Sequence, residues 1–491
     1  MPLSYSRAMV GRESEWARLA EFVTSGEPTA TLGIAWGRRR VGKSFLLETA
    51  SQQLSGFHYC AVRGSSGEAL RDFGTRMAAY SGAVAPYAFE DWDSAIVALL
   101  ALGRDRETLV VLDEFPYLLE HTPSLDSIIQ RAFGTRATNS ARTQTRLILC
   151  GSAMRVMSKL LTGTAPLRGR AGLDLRVMPF DVRTTRALHR IDDLATAFRT
   201  YAVIGGVAAY AREMVANDLP SSASTFDRWI CHRILSPAAP LFNEIELLLS
   251  EDPATSKARK INIYHAVLAG VASGNHAHQS LTKYVKISGA SLAPVIDSLL
   301  ATDLIVKVED PLRDNRPTYH PSDSLLRFHY ALTRKHGARL SAHGADTPRI
   351  WKGLVPTFES LVLGPAFEAE SRRWAQTVAS RTTLGGDAAH VGPTNLAMPG
   401  GAEMQLDVVV TDAEGPPGRR RVYAIGEAKA GERITMRHVK RLEDARAAIG
   451  SRAVNAKLLL FGSRVGPDVY AAATQRSDIE IVDLERLYYG D

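Results

Sequence analysis

The stretch Gly37-Arg38-Arg39-Arg40-Val41-Gly42-Lys43-Ser44 constrains this chain more than any other. Its spacing is GxxxxGK[ST] without departure, and its flanks have the matching order. An apolar run, Thr31–Trp36, leads in as a strand, and a helical stretch, Phe45–Ala50, leads out. Glycines let the backbone curl until successive N–H groups face one point, and the helix start adds N–H groups of its own. The result is a cradle for phosphate oxygens, running from Gly37 to Phe45. Lys43 is placed to reach the β- and γ-phosphates, and Ser44 to ligate Mg²⁺. ATP and Mg²⁺ are therefore the predicted cofactors.

A second motif follows from the first. Leu109–Leu112 is a buried-type strand that ends in Asp113-Glu114. Downstream of a phosphate loop, the Asp orients the Mg²⁺ shell and the Glu polarises the attacking water. A third strand, Leu147–Cys150, ends in Gly151-Ser152, which places a hydroxyl beside the γ-phosphate or simply makes a turn.

The chain is long enough, at 491 residues, for about three domains. Its 45% hydrophobic and 23% charged content excludes a disordered chain, a collagen and a coiled-coil rod. A net charge of +7 permits nucleic-acid contact without demonstrating it. Cys60, Cys150 and Cys231 lack CxxC spacing, which fits neither a disulfide framework nor a cysteine zinc site. No signal-type leader and no membrane-length apolar run is visible, so a soluble cytoplasmic protein is predicted.

Pattern divides the chain into blocks. From Gly11 to about Asp181 strands alternate with helices, which predicts α/β with a parallel sheet; Phe57–Val62 and Asp174–Met178 complete its strands. From Thr184 to about Leu340 the pattern is helical. Lys335 to Pro348, polar and glycine-containing, reads as a linker. From Trp351 onward strands return at Leu406–Val410, Val422–Ala428 and Leu458–Phe461.

Taken in order, Val10–Glu13, the phosphate loop, LVVLDEFPYLL, LILCGSAM, PLRGRAG, YAVIGGVAAY and YHPSDSLLRFHYAL resemble the AAA+ ATPases of the STAND type often called archaeal ATPases. The resemblance spans nearly the whole chain. It implies that Gly11, Arg12 and Glu13 form a nucleotide-proximal box and that Ser152 is the sensor-1 residue. It also places Arg168 and Arg170 in a segment where an arginine could approach phosphate; solvated or Asp-paired arginines fit equally well. The family commonly has Gly-Gly-Val-Pro after the lid begins, whereas Gly205-Gly206-Val207-Ala208 stands here, which leaves the fine lid geometry open.

In the helical middle, Leu292, Val295, Ile296, Leu299 and Leu300 fall on one helix face. With helices at Ile261–Val271 and Leu281–Ile287, and strands at Asp303–Asp310 and Thr318–His320, they make a winged helix. Its reading positions, Ser288, Ser291, Asp297 and Ser298, are poor base readers. Lys283, Lys286, Arg313 and Arg316 could grip a backbone, and interdomain packing is the alternative role.

The last block carries Asp407 and, across a Gly415-Pro416-Pro417-Gly418 turn, Glu427 and Lys429. Residues two apart on a strand share a face, so Glu427 and Lys429 point together. A hairpin symmetric about the turn sets Asp407 opposite Gly426, and Glu368 offers a third carboxylate. Paired carboxylates suit Mg²⁺, with a lysine to stabilise developing charge. The pattern resembles the PD-(D/E)XK nuclease fold, although Leu406 replaces the usual proline before the Asp. Arg419, Arg420 and Arg421 at the turn could follow a phosphate backbone or be solvated.

The expected organisation is thus a P-loop AAA+ domain at 1–183, a helical lid at 184–255, a winged helix at 256–340, a linker at 341–350 and a restriction-endonuclease-like α/β domain at 351–491. The expected function is an ATP-binding, ATP-hydrolysing switch coupled to a Mg²⁺-dependent DNA nuclease. The alternative is a nucleotide-dependent DNA- or protein-binding module with an inactive nuclease-like domain. A homo-oligomer is possible on either reading.

Overall fold

Five apolar runs become the strands β1 (Thr31–Trp36), β2 (Phe57–Cys60), β3 (Thr108–Asp113), β4 (Thr145–Gly151) and β5 (Ala171–Arg176) in a computed structural model. It describes residues 3–6, 9–134, 143–163, 165–251, 261–398 and 400–491. The chain divides into two compact units, Met1–Phe180 with Val207–Ala209, and Asp181–Gly206 with Tyr210–Asp491.

In the first unit the strands pair in the order β2-β3-β4-β1-β5, all parallel. Strands β3 and β4 are buried from end to end, as a sheet covered on both faces requires. Among the described residues the helices of this unit are α1 (Glu13–Val23), α2 (Lys43–Gln53), α3 (Ser66–Ser81), α4 (Trp92–Ala101), α5 (Phe115–His121), α6 (Leu125–Ala132) and α7 (Met154–Lys159). One apolar layer gathers Phe73, Trp92, Leu99, Phe115 and Ile129. The other gathers Trp16, Leu19, Leu46, Leu47 and Leu175. Parallel pairing brings the C-terminal ends of β1, β3 and β4 to one edge, where ligands of open α/β sheets bind. Strand β5 starts three residues before the predicted Asp174 because its pairing with β1 begins at Leu32 and Ala171.

The second unit opens with α8 (Val182–His189) and α9 (Leu194–Ile204). Further on, helices Ile261–Ala272, His278–Val285 and Gly289–Ala301 precede an antiparallel hairpin of β6 (Ile305–Val308) and β7 (Thr318–Pro321). The middle helix stops before the predicted Ile287 because Lys286 turns left-handed, with φ 58°. Of the stretch Lys335–Pro348 read as a linker, both ends are helical and residues 341–346 lie between helices. Arg334–Leu340 ends a helix begun at Ser324, and the next helix starts at Thr347. Apart from Gly337, which meets no neighbour, RKHGARL consists of side chains a helix accepts.

The helix from Thr347 continues to Thr377 through one π-type turn, Glu359–Leu363. Pro365 has no N–H and its ring crowds the carbonyl four residues back. At this point the Gly364 N–H donates to the Glu359 carbonyl, five residues back. The extra residue rotates everything downstream by about 100°, including Glu368.

A mixed sheet closes the chain: β8 (His390–Ala397), β9 (Glu403–Thr411), β10 (Val422–Lys429), β11 (Lys457–Gly462) and β12 (Ile479–Val482), in the order β12-β11-β10-β9-β8. Strands β8, β9 and β10 are antiparallel, and β10, β11 and β12 are parallel. Strands β8 and β12 have no counterpart in the sequence reading. Strand β8 carries Gly392-Pro393, a turn signal, but it is an edge strand and Pro393 sits where the register slips.

The β6–β7 hairpin packs against this sheet. Thr394 Oγ1 donates to Asp310 Oδ2 at 2.8 Å, and Leu312 joins the apolar cluster of the C-terminal sheet. A Cβ at Gly392 would stand 2.3 Å from the Glu309 carbonyl oxygen, so the two backbones touch there.

Candidate functional site

The phosphate loop leaves β1 through Gly37, whose φ is 157° and whose place only glycine can take, since a Cβ would lie 2.2 Å from the Val177 carbonyl oxygen. Arg40 and Gly42 are left-handed at φ 69° and 98°. These turns curl the backbone from Arg38 through Val41 ahead of α2, which begins at Lys43. Val41 is sealed in the core and anchors the loop from below. Arg38 is buried, Arg39 and Arg40 are half-buried, and Ser44 and Phe45 are exposed on the first turn of α2. The Lys43 ammonium folds over the loop and donates to the Arg38 carbonyl at 2.9 Å. Arg12 braces the loop from outside. It donates to the Val41 carbonyl at 2.8 Å, pairs with Glu15 at 2.6 Å and lies over the Phe180 ring. Burial pulls its pKa down, with Glu15 opposing.

Asp113 sits at the end of β3, almost fully buried. Burial pushes its pKa up. The side chains of His58, Cys150 and Ser44 and the Glu114 N–H, which donates to Oδ1 at 2.8 Å, push harder the other way. The carboxyl is held well below its ordinary range and stays ionised. Glu114 is left-handed at φ 51°. Ser152, at the end of β4, donates to both Glu114 oxygens at 3.2 and 3.1 Å. Lys43, Ser44, Asp113, Glu114 and Ser152 therefore come from the ends of three neighbouring strands. The sequence reading missed His58, whose Nε2 lies 3.7 Å from Asp113 Oδ2. It is brought there by β2–β3 pairing, which sets Cys60 beside Asp113. Arg168 and Arg170 donate to the carbonyls of Gly163 and Phe133.

The first unit is a P-loop α/β domain. No known family pattern matches the chain. It is 24% identical over 328 residues to an uncharacterised protein, MJECL04, of Methanocaldococcus jannaschii, spanning 65% of this chain and 68% of that one. Among solved structures it is similar to the Walker-type ATPase PABY2304 of Pyrococcus abyssi, with 20% identity, a TM-score of 0.47, and 67% and 98% of the two chains covered. It is also similar to the ORC2 protein of Aeropyrum pernix in its ADPNP–ADP complexes, with 13% identity, a TM-score of 0.41, and coverage of 68% and 96%. Likenesses this distant add nothing to the geometry of the P-loop domain.

The second cluster lies in the C-terminal sheet. Gly426 pairs with Val408, not with Asp407 as the symmetric hairpin predicts. The expected register does hold at Val422 and Thr411, and a bulge before Ala424 then moves the pairing by one. Asp407 and Glu427 are both buried. Lys429 lies 2.7 Å from Glu427 Oε1 and 3.7 Å from Asp407 Oδ2. The Ala428 N–H donates to Asp407 Oδ2 at 2.9 Å. Burial and the Asp407 charge push Glu368 up to about 7, against Arg372, Lys429 and Arg327. Burial also raises Asp407, with Lys429 opposing. Buried Arg327 and Arg372, and half-exposed Arg441 at 3.3 Å from Glu427 Oε2, were not predicted as site residues, although Arg327 falls within the YHPSDSLLRFHYAL segment.

The two sites differ in how they suit a cation. Beside the phosphate loop, an ionised Asp113 and the Ser44 hydroxyl are the oxygen donors Mg²⁺ takes together with phosphates and water. At the C-terminal site Glu427 Oε2 is buried without a hydrogen-bond partner. Yet among the described residues no three His, Cys, Asp or Glu side chains converge as a ligand set. Among those residues, no helix is long and apolar enough to cross a membrane.

Proposed function

We propose that the chain is a nucleotide switch of AAA+ type whose P-loop domain binds and hydrolyses ATP, and whose C-terminal block is a PD-(D/E)XK-like domain that meets DNA. The observation that carries the first half is the convergence of Lys43, Asp113, Glu114 and Ser152 at one sheet edge. Lys43 exchanges the Arg38 carbonyl for β- and γ-phosphate oxygens. Ser44 and Asp113 would hold Mg²⁺, which offsets the phosphate charge. Glu114 accepts a proton from the attacking water, and Ser152 fixes the carboxylate that does so.

In the C-terminal block Asp407 and Glu427 are the candidate Mg²⁺ ligands, with Glu368 in reserve and Lys429 beside the scissile phosphate. The three helices and β6–β7 hairpin are read as a winged helix. The hairpin's contacts with β8 favour interdomain packing over base reading. One observation favours a second reading, a binding module that cuts nothing: Lys429 is ion-paired with both carboxylates.

The test is cleavage of circular and linear DNA by the full chain with Mg²⁺ or Mn²⁺, with and without ATP, beside Lys429→Ala. Cleavage that disappears in the variant supports the nuclease. Its absence under every condition leaves the binding module.

A further inference from the structure

The β9–β10 turn ends in Arg419, Arg420 and Arg421 and faces a second loop, Gly450–Ala453. Between them lies a cavity of about 360 Å³ lined by Arg419, Arg421 and Arg452 with Ser451 and Asn455. No acidic side chain lines it. Arg452 is fixed in place: its Nη1 donates to the carbonyls of Pro417 at 3.1 Å and Arg420 at 3.4 Å. Pro416 and Pro417 stiffen the turn, which is a short 3₁₀ segment, Pro417–Arg419. On this arm Asp412 accepts the Arg421 backbone N–H at 3.2 Å, a bond to the main chain and not to the guanidinium. Arg419 and Arg421 are exposed, and Arg421 lies over the Tyr423 ring.

Three arginines lining one cavity, with no carboxylate among its described lining residues, suit phosphate oxygens. The same strand, β10, leads from this cavity to the carboxylates. Glu427 is five residues beyond Val422, roughly 17 Å at strand rise. That is about five base steps along a nucleic-acid axis.

We propose that Arg419, Arg421 and Arg452 form a site for the phosphodiester backbone of a nucleic acid, holding the strand about five nucleotides from the carboxylates. It rests on the reading that the C-terminal block meets nucleic acid, and it is independent of cleavage.

Binding of a labelled 20-nucleotide DNA, single-stranded and duplex, is measured by anisotropy with the full chain in EDTA over a KCl series. Arg419→Ala/Arg421→Ala removes two exposed side chains and spares the brace at Arg452. The expected result is an affinity at least about tenfold weaker and a salt slope smaller by about two. Restoration of the slope by Arg419→Lys/Arg421→Lys would tie it to charge. No DNA binding by the wild type, or an unchanged slope in the alanine variant, would overturn the proposal. Displacement of the DNA by millimolar inorganic phosphate, or by polyglutamate at equal charge, would reassign the cavity to free phosphate or to an acidic protein. Cleavage with Mg²⁺, scored separately, tests the carboxylates, so the two readings fail independently.

Discussion

Glu114 is held in a left-handed turn and gripped at both oxygens by Ser152. On the proposed reading of Glu114 as the base, a carboxylate so fixed adds to turnover rather than to affinity. Glu114→Gln should bind ATP normally and hydrolyse it about 100-fold or more slowly, whereas Lys43→Ala should not bind at all. Nucleotide titration and steady-state phosphate release separate the two. The buried histidines set a second residue-scale expectation. Burial, aided by Arg327 and Arg372, lowers His276 to about 4, and it pushes the adjoining His320 down as well. Both are neutral when folded and gain a proton when unfolded as pH falls below about 6.5. Stability is therefore complete above that value and lost between about 6.5 and 4. His276 alone should cost about 2 kcal/mol between pH 7 and 5. Urea midpoints that do not move between those pH values would contradict this.

At the scale of elements, α9 is tied to the helix Gly364–Thr377, the element that carries Glu368. Tyr201 donates to buried Glu370 at 2.8 Å, and Phe198 meets Phe367 edge to face at 5.2 Å. Burial raises the Glu370 carboxyl, and Tyr201→Phe would strip its side-chain donor. The variant should lose about 2 kcal/mol of stability. Elements also show where sequence reading succeeds. The phosphate loop was legible because eight consecutive residues determine it, and Asp113-Glu114 because they end a run that is apolar throughout. The Asp407–Gly426 pairing was not, since one bulge moves a ladder and nothing in Val422-Tyr423-Ala424 announces it. Strand β8 was hidden by Gly392-Pro393, a turn signal neutralised by an edge position. Arg327 lies 41 residues before Glu368, and only the fold joins their charges.

At the scale of the molecule, the β6–β7 hairpin and the C-terminal sheet are joined by a hydrogen bond, a shared core residue and a backbone contact. Gly392→Ala would drive a Cβ to 2.3 Å from the Glu309 carbonyl and 2.9 Å from Pro311. The hairpin must shift, at a cost of about 2 kcal/mol, with the Thr394–Asp310 bond the first lost. Thermal unfolding of the variant measures it, and an unchanged midpoint would show that the contact yields freely. The same contact bears on inheritance. Leu312 lies in the sequence of the helical middle and in the core of the sheet that follows. A gene broken near codon 345 would strand that leucine on one fragment and its pocket on the other. Recombination can exchange the two segments only together.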